Sequence, residues 1–324
     1  MYLNSFSEGL DALDMTELEE FESLLASAAD LGIPHVPDVR YHSRNTVIAH
    51  QRFHFLEWGD PDAEPIVLLH GGNQSAHSWD LVSLHLATRY HVFALDQRGH
   101  GDSEWSRGAD YSIDTMARDV QAFLDAVGVR RPVIFGHSMG GMVTLALIHH
   151  LPEIACAAVI VDVGPEISEA GTRLIGEFVH NNIEFDDMEE FLDRVQQYDP
   201  YRSREHMERT LKYNLLRRAD GRYVSKTDRR RFFTESDEGG RRVRGTPALA
   251  ELAELELPLL IVRGDASKVL LPGPAERFAT SLPKGRLETV SESGHNVHSQ
   301  NTPGFLAAVV PFLDSLQRDP GTRP

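Results

Sequence analysis

Short apolar runs, separated by amphipathic stretches, recur along the chain from residue 46 onward. The runs lie at 65–69, 91–95, 133–135, 157–161, 259–262 and 287–290. They are rich in β-branched residues and leucine, a pattern typical of strands that are buried on both sides in a parallel sheet. Residues 47–55 alternate between polar and apolar instead, so we expect a single edge strand there.

Helical periodicity fills the segments between these runs. Apolar residues recur every three or four positions near 78–88, 115–127, 139–151, 274–281 and 303–317. Repeated alternation of strand and helix indicates an α/β fold, in which a mostly parallel, doubly wound sheet carries helices on both faces.

One long segment, residues 165–245, interrupts this alternation. It is polar and helix-prone, and it contains no apolar run of the strand type. A segment of about eighty residues between two core strands is too long for a plain loop. We therefore predict an inserted helical cap over the carboxyl ends of the strands, where open α/β sheets place their sites. Its aromatic residues are candidates for lining a pocket, although most are expected to pack between helices: Phe178, Phe185, Phe191, Tyr198, Tyr201, Tyr213, Phe232 and Phe233.

The N-terminal segment is acidic, with nine Asp or Glu and no Lys or Arg in residues 1–39. Gly32 and Pro34 mark the end of an amphipathic helix, whose apolar positions are Leu18, Phe21, Leu24, Leu25, Ala28 and Leu31. This helix either packs on its own domain or contacts another subunit. The predicted division of the chain is an acidic helical arm at 1–40, a core at 41–164 and 246–318, the cap at 165–245 and a tail at 319–324.

The charge balance excludes several classes of partner. The chain has 32 Lys+Arg against 49 Asp+Glu, a net charge of −17, so neither nucleic acid nor an anionic membrane is expected to bind it. No apolar run approaches the roughly 20 residues that a bilayer-spanning helix requires. The single cysteine, Cys156, forms no internal disulfide, and the first residues lack the features of a secretion signal. We therefore expect a cytoplasmic protein.

The cap differs in charge from the rest of the chain. Residues 202–244 hold 14 Lys+Arg against 7 Asp+Glu. This excess fits a solvated helix face, attraction of an anionic substrate, or docking of the acidic arm from the same or a neighbouring subunit. A homo-oligomer formed through the arm or the cap is therefore left open.

The strongest chemical motif is Gly136-His137-Ser138-Met139-Gly140, which lies between a predicted strand and a predicted helix. A serine on such a sharp turn needs glycines two positions away, because any side chain there would collide with the neighbouring backbone. The turn exposes Ser138 Oγ at a helix N-terminus, where free N–H groups favour developing negative charge. Ser138 is therefore the predicted nucleophile.

Three motifs in this order give the chain its resemblance to a known family: His70-Gly71-Gly72 with Trp79, the segment 96–103 (Asp-Gln-Arg-Gly-His-Gly-Asp-Ser), and Gly136–Gly141. From about residue 46 to residue 317 the chain resembles the α/β-hydrolase superfamily, most closely its capped, esterase-like or epoxide-hydrolase-like members. In epoxide and haloalkane hydrolases of this fold the nucleophile is Asp, so Ser138 favours acyl chemistry. The resemblance implies an oxyanion hole formed by the backbone N–H groups of Gly72 and Met139, and a structural role for 96–103.

The resemblance also suggests the base and the acid. In this fold the base follows the last strand, where Gly294-His295 matches the family pattern, with His298 as the nearest rival and His137 directed into the structure. Many members carry the acid at the position of Ser267, which cannot stabilise an imidazolium as a carboxylate does. Asp162, 24 residues after Ser138, is the preferred acid. Asp265 and an arrangement without either acid remain open.

No metal or cofactor is predicted, because the chain has no metal-binding His/Cys grouping, no dinucleotide-binding glycine motif and no P-loop. The predicted activity is that of a serine hydrolase, which cleaves a small-molecule carboxylic ester or lactone through an acyl-enzyme on Ser138. One alternative is a hydrolase of carbon–carbon bonds in a vinylogous diketone that uses the same triad. Another is a non-catalytic protein that binds a small molecule on this fold.

Overall fold

The structure is a computed structural model that describes residues 20–233 and 245–317. Its centre is an eight-stranded sheet. The strands in these residues are β1 (Tyr41–Ile48), β2 (Gln51–Trp58), β3 (Pro65–Leu69), β4 (His91–Leu95), β5 (Val133–His137), β6 (Ala157–Val161), β7 (Glu184–Phe185), β8 (Leu215–Arg217), β9 (Tyr223–Ser225), β10 (Leu259–Gly264) and β11 (Gly285–Val290).

The order of the strands confirms the predicted doubly wound α/β fold. In the central sheet the order is β1-β2-β4-β3-β5-β6-β10-β11, and every pair from β4 to β11 is parallel. Each of the six predicted apolar runs lies in one of these strands. The register pairs Leu69 with Gly136, and His137 with Val161, so the loops that follow β3, β5 and β6 meet at one edge of the sheet.

The prediction of a single edge strand at 47–55 is wrong, because this region forms a hairpin. Strands β1 and β2 pair in antiparallel fashion, with Ile48 opposite Gln51. The two residues between them, Ala49 and His50, have φ values of 48° and 65°. Such left-handed turns match the twist of a hairpin, but they are usually signalled by Asn-Gly or Asp-Gly, which this sequence lacks.

Helices cover both faces of the sheet and enclose two separate apolar cores. The α-helices in the described residues, including those of the inserted segment, are α1 (20–30), α2 (Asp80–Leu86), α3 (Ile113–Val127), α4 (Met139–His150), α5 (Glu169–Asn181), α6 (Met188–Tyr198), α7 (Arg204–Leu211), α8 (Leu249–Leu252), α9 (Pro272–Ser281), α10 (Val297–Gln300) and α11 (Thr302–Gln317). One core contains Val67 and Leu69 with α3, α4 and α9, and the other contains Ile66 and Leu68 with α1, α2 and α11. Successive strand residues thus enter opposite cores, as the pleat of a sheet requires.

Helix α1 is the described part of the acidic arm. Phe21, Leu24 and Ala28 are buried in the same core as α2 and α11. The helix stops before Gly32, whose φ of +63° is the left-handed conformation that commonly terminates helices. This part of the arm therefore packs on its own chain, whereas Leu18 and the rest of 1–19 lie outside the described residues.

The inserted segment is not purely helical, so this part of the prediction is wrong. It contains α5, α6 and α7, but also an antiparallel sheet in the order β7-β9-β8. Its strands are only two or three residues long, too short to produce a periodic signal in the sequence. A small apolar core holds the segment together: Phe185, Phe191, Leu192, Val195, Met207 and Leu215.

No helix in the described parts of the chain is long and apolar enough to cross a bilayer.

Candidate active site

Ser138 lies on the sharp turn between β5 and α4 that the sequence predicts. Its φ and ψ are 49° and −114°, and its N–H donates to the Val161 carbonyl oxygen over 3.0 Å. A Cβ on Gly136 would lie 2.4 Å from the carbonyl oxygen of Gly140, and one on Gly140 would lie 2.4 Å from that of Leu69. Both contacts are with backbone, so only glycine fits at either position.

A continuous chain of hydrogen bonds joins Ser138, His295 and Asp162. The His295 Nε2 atom lies 2.9 Å from Ser138 Oγ, and its Nδ1 atom lies 2.8 Å from Asp162 Oδ2. Since the carboxylate accepts from Nδ1–H, Nε2 is left as the acceptor for the serine hydroxyl. Ser138 is thus hydrogen-bonded to an imidazole whose other ring nitrogen is held by a buried carboxylate.

The structure brings Asp162 to His295, and it leaves Asp265 apart from the histidine. Asp162 ends up fully buried just after β6, with a φ of +53°. Asp265 is exposed after β10, where its Oδ1 accepts from the Ser293 N–H over 3.2 Å. Of the two carboxylates that the sequence left in competition, only Asp162 contacts the imidazole.

Ser267, rejected as the acid, has a role that sequence reasoning missed. Its hydroxyl donates to Asp162 Oδ2 over 2.5 Å and accepts from the Val269 N–H over 3.1 Å. The Gly264 N–H approaches the other oxygen, Oδ1, at 3.3 Å. The family resemblance predicted that Ser267 lies near the site, but nothing in the sequence indicated that its hydroxyl contacts Asp162.

The two rival histidines are buried and have other neighbours. His137 Nε2–H donates to the His295 carbonyl oxygen over 2.9 Å, which holds the backbone of the base. The His298 ring stacks on Trp79 with 3.9 Å between centroids, and neither ring nitrogen has a hydrogen-bond partner among the described residues. Burial lowers the pKa of both imidazoles well below the ordinary value, so both are neutral near pH 7.

Gly72 and Met139, the two residues predicted to form an oxyanion hole, line the same cavity as Ser138. Neither N–H donates a hydrogen bond within residues 20–233 and 245–317. The neighbouring Gln74 amide is occupied, since Oε1 accepts from the Gly71 N–H and Nε2 donates to Asn296 Oδ1. Asn73 also lines the cavity, and it has a φ of +61°.

The loop at 96–103 is held in place by hydrogen bonds to the carboxylate of Asp96. Buried Asp96 accepts hydrogen bonds from His54 Nδ1 over 2.7 Å, from the Ala76 N–H over 2.6 Å and from the Asp102 N–H over 2.9 Å. Burial raises the pKa of Asp96, but its hydrogen bond to His54 and the nearby charges outweigh this effect and lower the pKa. The carboxylate therefore stays ionised and ties the loop to β2.

His54, Asp96 and Asp102 are also a group of side chains that could hold a metal ion, with ligand atoms within 4.8 Å of one another. Each of the three already has a protein partner, since Asp102 pairs with Lys226 and the other two bind each other. A metal ion would have to break these contacts to bind there.

The catalytic cavity has a volume of about 330 Å³ and lies between the sheet edge and the cap. Four of the predicted aromatic residues line it, whereas Tyr213 stacks on His77, outside the cavity, and the side chains of Phe232 and Phe233 are not among those described. Its apolar wall from the cap comprises Ile167, Ile175, Phe178, Val179, Phe185, Phe191, Val195, Tyr198, Leu211 and Leu215.

Two arginines of the cap also border the cavity. The Arg202 side chain is 7% exposed and pairs with buried Asp199 over 2.7 Å, so this pair adds no net charge. Arg231 contacts His100 and Met139 beside Gly72. The cavity thus combines a long apolar wall with a polar region close to the nucleophile.

The chain is similar to known proteins over most of its length. A sequence model described as alpha/beta hydrolase fold matches residues 64–302. Esterase Rv0045c of Mycobacterium tuberculosis is 26% identical over 310 residues, which cover 93% of this chain and 98% of that protein. The sn-1-specific diacylglycerol lipase ABHD11 of Mus musculus is 27% identical over 262 residues, which cover 79% of this chain and 82% of that protein.

Solved structures show the same similarity. An alpha/beta hydrolase from Novosphingobium aromaticivorans superposes with a TM-score of 0.74 and 27% identity, and covers 85% of this chain and 98% of its own. The family match spans more than half of the sequence, and it includes the turn that carries Ser138. The chain therefore belongs to the alpha/beta hydrolase fold family.

Proposed function

We propose that this protein is a serine hydrolase that cleaves a carboxylic ester or lactone through an acyl-enzyme on Ser138. The observation that carries the proposal is the hydrogen-bonded chain from Ser138 Oγ through His295 to buried Asp162. The similarity to an esterase and to a lipase over most of the chain supports the same reaction class.

The proposal assigns a role to each group. His295 Nε2 accepts the Ser138 proton as Oγ attacks the carbonyl carbon, and Asp162 stabilises the imidazolium that forms. The N–H groups of Gly72 and Met139 receive the oxyanion, each contributing about 2.7–4 kcal/mol to lowering the barrier. His295 then protonates the leaving alcohol and activates the water that hydrolyses the acyl-enzyme.

The cavity favours a substrate of moderate size with an apolar part. A volume of about 330 Å³ lies within the range of small-molecule sites, and the cap contributes mainly aliphatic and aromatic side chains to its wall. Esters and lactones with a short aliphatic or aromatic group fit these conditions better than strongly polar ones, because polar groups would lose their hydration against such a wall.

Hydrolysis of a graded series of esters and lactones by wild type and Ser138→Ala tests the proposal. We expect the substitution to reduce kcat by roughly three orders of magnitude or more, because the nucleophile is lost. Ser299→Ala is the matched control, since Ser299 lines the same cavity and its hydroxyl donates only to the Asn296 carbonyl oxygen. Full activity of Ser138→Ala would contradict the proposal. A vinylogous diketone in the same series separates ester hydrolysis from carbon–carbon bond cleavage by the same residues.

A further inference from the structure

The cap is docked on the rest of the chain by paired charges. Within 202–233, at least eight of the eleven Lys and Arg side chains form ion pairs with described residues: Arg202, Arg204, Arg209, Lys212, Arg218, Arg222, Lys226 and Arg230. Three of them pair with acids outside the cap, namely Arg209 with Asp80, Lys212 with Glu20 and Lys226 with Asp102. The positive charge of this segment is therefore largely neutralised within the chain.

One of these contacts joins the cap to the N-terminal helix. Glu20 on α1 accepts from the Tyr213 hydroxyl over 2.5 Å and from Lys212 Nζ over 3.0 Å. Burial raises the pKa of Glu20, but the hydrogen bonds from Tyr213 and Lys212 outweigh this and lower it. Burial and the bond to Glu20 raise the pKa of Tyr213, so its hydroxyl remains a donor.

The contact continues into the core of the protein. The Tyr213 ring stacks on His77 with 3.4 Å between centroids and 11° between planes. His77 Nδ1 lies 3.1 Å from Asp80 Oδ2, and the same oxygen accepts from Arg209 Nη1 over 3.2 Å. These five side chains, Glu20, His77, Asp80, Arg209 and Tyr213, are called the docking network below.

The cap segment that carries the docking network also forms part of the cavity wall. Arg209 and Tyr213 enter the network, whereas Thr210, Leu211 and Asn214 line the catalytic cavity. Neighbouring residues of the segment 204–214 therefore contact either the docking network or the cavity. A shift of this segment away from α1 would move the wall of the cavity directly.

Helix α1 gives the network a firm support. Next to Glu20, Phe21 is buried and packs against Tyr41, with 6.2 Å between ring centroids, and Leu24 and Ala28 are buried further along the helix. The Tyr41 ring in turn meets His77 edge-on at 5.8 Å. The helix that carries Glu20 is thus packed on the core, whereas Lys212 and Tyr213, which bind the Glu20 carboxylate, belong to the cap.

We infer that Glu20 is a positioning residue for substrate specificity, which fixes the 204–214 wall of the catalytic cavity through Tyr213. In this role Glu20 and Tyr213 contact neither Ser138 nor His295. The N-terminal helix therefore affects the fit of the substrate and not the chemical step. The inference rests on the proposed ester hydrolysis for its kinetic consequence, but the placement of the wall can be measured without catalysis.

The test compares Glu20→Gln and Tyr213→Phe with Glu22→Gln, an exposed glutamate on the same helix. p-Nitrophenyl acetate and p-nitrophenyl octanoate serve as substrates. We expect the first two variants to raise the ratio of octanoate KM to acetate KM by about 3- to 10-fold, with kcat for acetate unchanged. The double variant should shift the ratio by less than the product of the two single shifts, because both substitutions weaken the same contact between Glu20 and Tyr213.

Amide hydrogen exchange of the intact protein, measured for the segment 204–214, reports the placement of the wall without requiring catalysis. Faster exchange in Glu20→Gln than in Glu22→Gln, with an unchanged thermal unfolding midpoint, is the expected result. Equal exchange together with equal KM ratios would overturn the inference, as would an equal loss of activity on both esters. If the wild type cleaves neither ester while the difference in exchange persists, the proposed function fails and the positioning role stands.

Discussion

Asp162 adopts a backbone conformation that is costly for a residue with a side chain. Its φ is +53°, and the carboxylate is fully buried with three hydrogen-bond partners, of which Ser267 and His295 share one oxygen. Left-handed conformations of non-glycine residues persist where the surroundings hold them, and they cluster at functional sites. The strained backbone of Asp162 thus places a buried carboxylate 2.8 Å from His295 Nδ1, which supports its assignment as the partner of His295.

Replacing the two candidate acids by their amides separates their contributions. We expect Asp162→Asn to lower kcat by roughly 10⁴-fold, because the amide favours the wrong imidazole tautomer and cannot stabilise the imidazolium. Asp265→Asn should leave kcat nearly unchanged, because Asp265 contacts the Ser293 backbone and not the base. Steady-state kinetics on one ester decides between them, and the reverse ranking would exclude the acid assigned here.

Ser267 should contribute to activity through Asp162 alone. Removing its hydroxyl with Ser267→Ala takes one donor from a buried carboxylate, so we expect kcat to fall by about 10-fold. Ser293→Ala is a suitable control, because Ser293 is also buried and its hydroxyl donates to the Val290 carbonyl oxygen instead. Indistinguishable kcat values for the two variants would show that Ser267 does not support the acid.

At the scale of elements, the turn that carries the nucleophile depends on glycines that no other residue can replace. A Cβ on Gly140 would lie 2.4 Å from the Leu69 carbonyl oxygen and 2.7 Å from that of His70. Because Leu69 is the last residue of β3 and His70 follows it directly, these backbone atoms cannot move without disturbing β3. By contrast, Gly176 in α5 has open space around its Cβ position, with no atom within 4 Å.

Alanine substitutions at these two glycines should therefore act in opposite directions. Gly140→Ala should lower the free energy of unfolding by about 1–3 kcal/mol or more, because it overpacks the backbone. Gly176→Ala should raise it by about 0.5–1 kcal/mol, because alanine loses less backbone entropy in a helix. Urea unfolding measures both values, and a neutral Gly140→Ala would contradict the close approach of β3 and α4.

Elements that bury many apolar residues were predictable from the sequence, and those fixed by local turns were not. Strands β3, β4 and β6 have the predicted bounds, because both of their faces enter an apolar core. The hairpin of β1 and β2 was missed because Ala49 and His50 carry no turn signal. The cap sheet was missed because its strands are two or three residues long.

The candidate site likewise contains residues that the sequence predicted and contacts that it did not. Ser138 and His295 could be identified by motif and chain order, whereas the choice of Asp162 over Asp265 depended on side-chain direction, which sequence spacing constrains only weakly. The support from Ser267 and the contact of Glu20 with Tyr213 join residues 105 and 193 positions apart. Contacts between residues so far apart in the sequence arise from the packing of the whole chain, and they produce no periodic pattern in the sequence.

At the scale of the whole molecule, buried neutral histidines should make the protein sensitive to mild acid. Burial lowers the pKa of His70, His100, His137 and His298 in the folded state. Below an unfolded pKa near 6.5 the unfolded chain binds protons that the folded chain does not, so folding loses free energy as the pH falls. Each such group contributes a slope of up to about 1.4 kcal/mol per pH unit.

We therefore expect the free energy of unfolding to fall steeply between about pH 6.5 and pH 5, before the carboxylates titrate. His298→Phe should reduce this slope without a large loss of stability at pH 8, because both ring nitrogens of His298 lack partners among the described residues. Urea unfolding at several pH values provides the measurement. A flat profile in this range would show that these histidines are protonated in the folded protein.

The most direct test of the central claim is covalent labelling of the intact protein with a fluorophosphonate, followed by mass spectrometry of its peptides. The arrangement of Ser138, His295 and Asp162 predicts one phosphonyl group on Ser138, abolished in Ser138→Ala and strongly slowed in His295→Ala. No labelling of the wild type, or labelling at another residue that persists in Ser138→Ala, would contradict the assignment of Ser138 as the nucleophile.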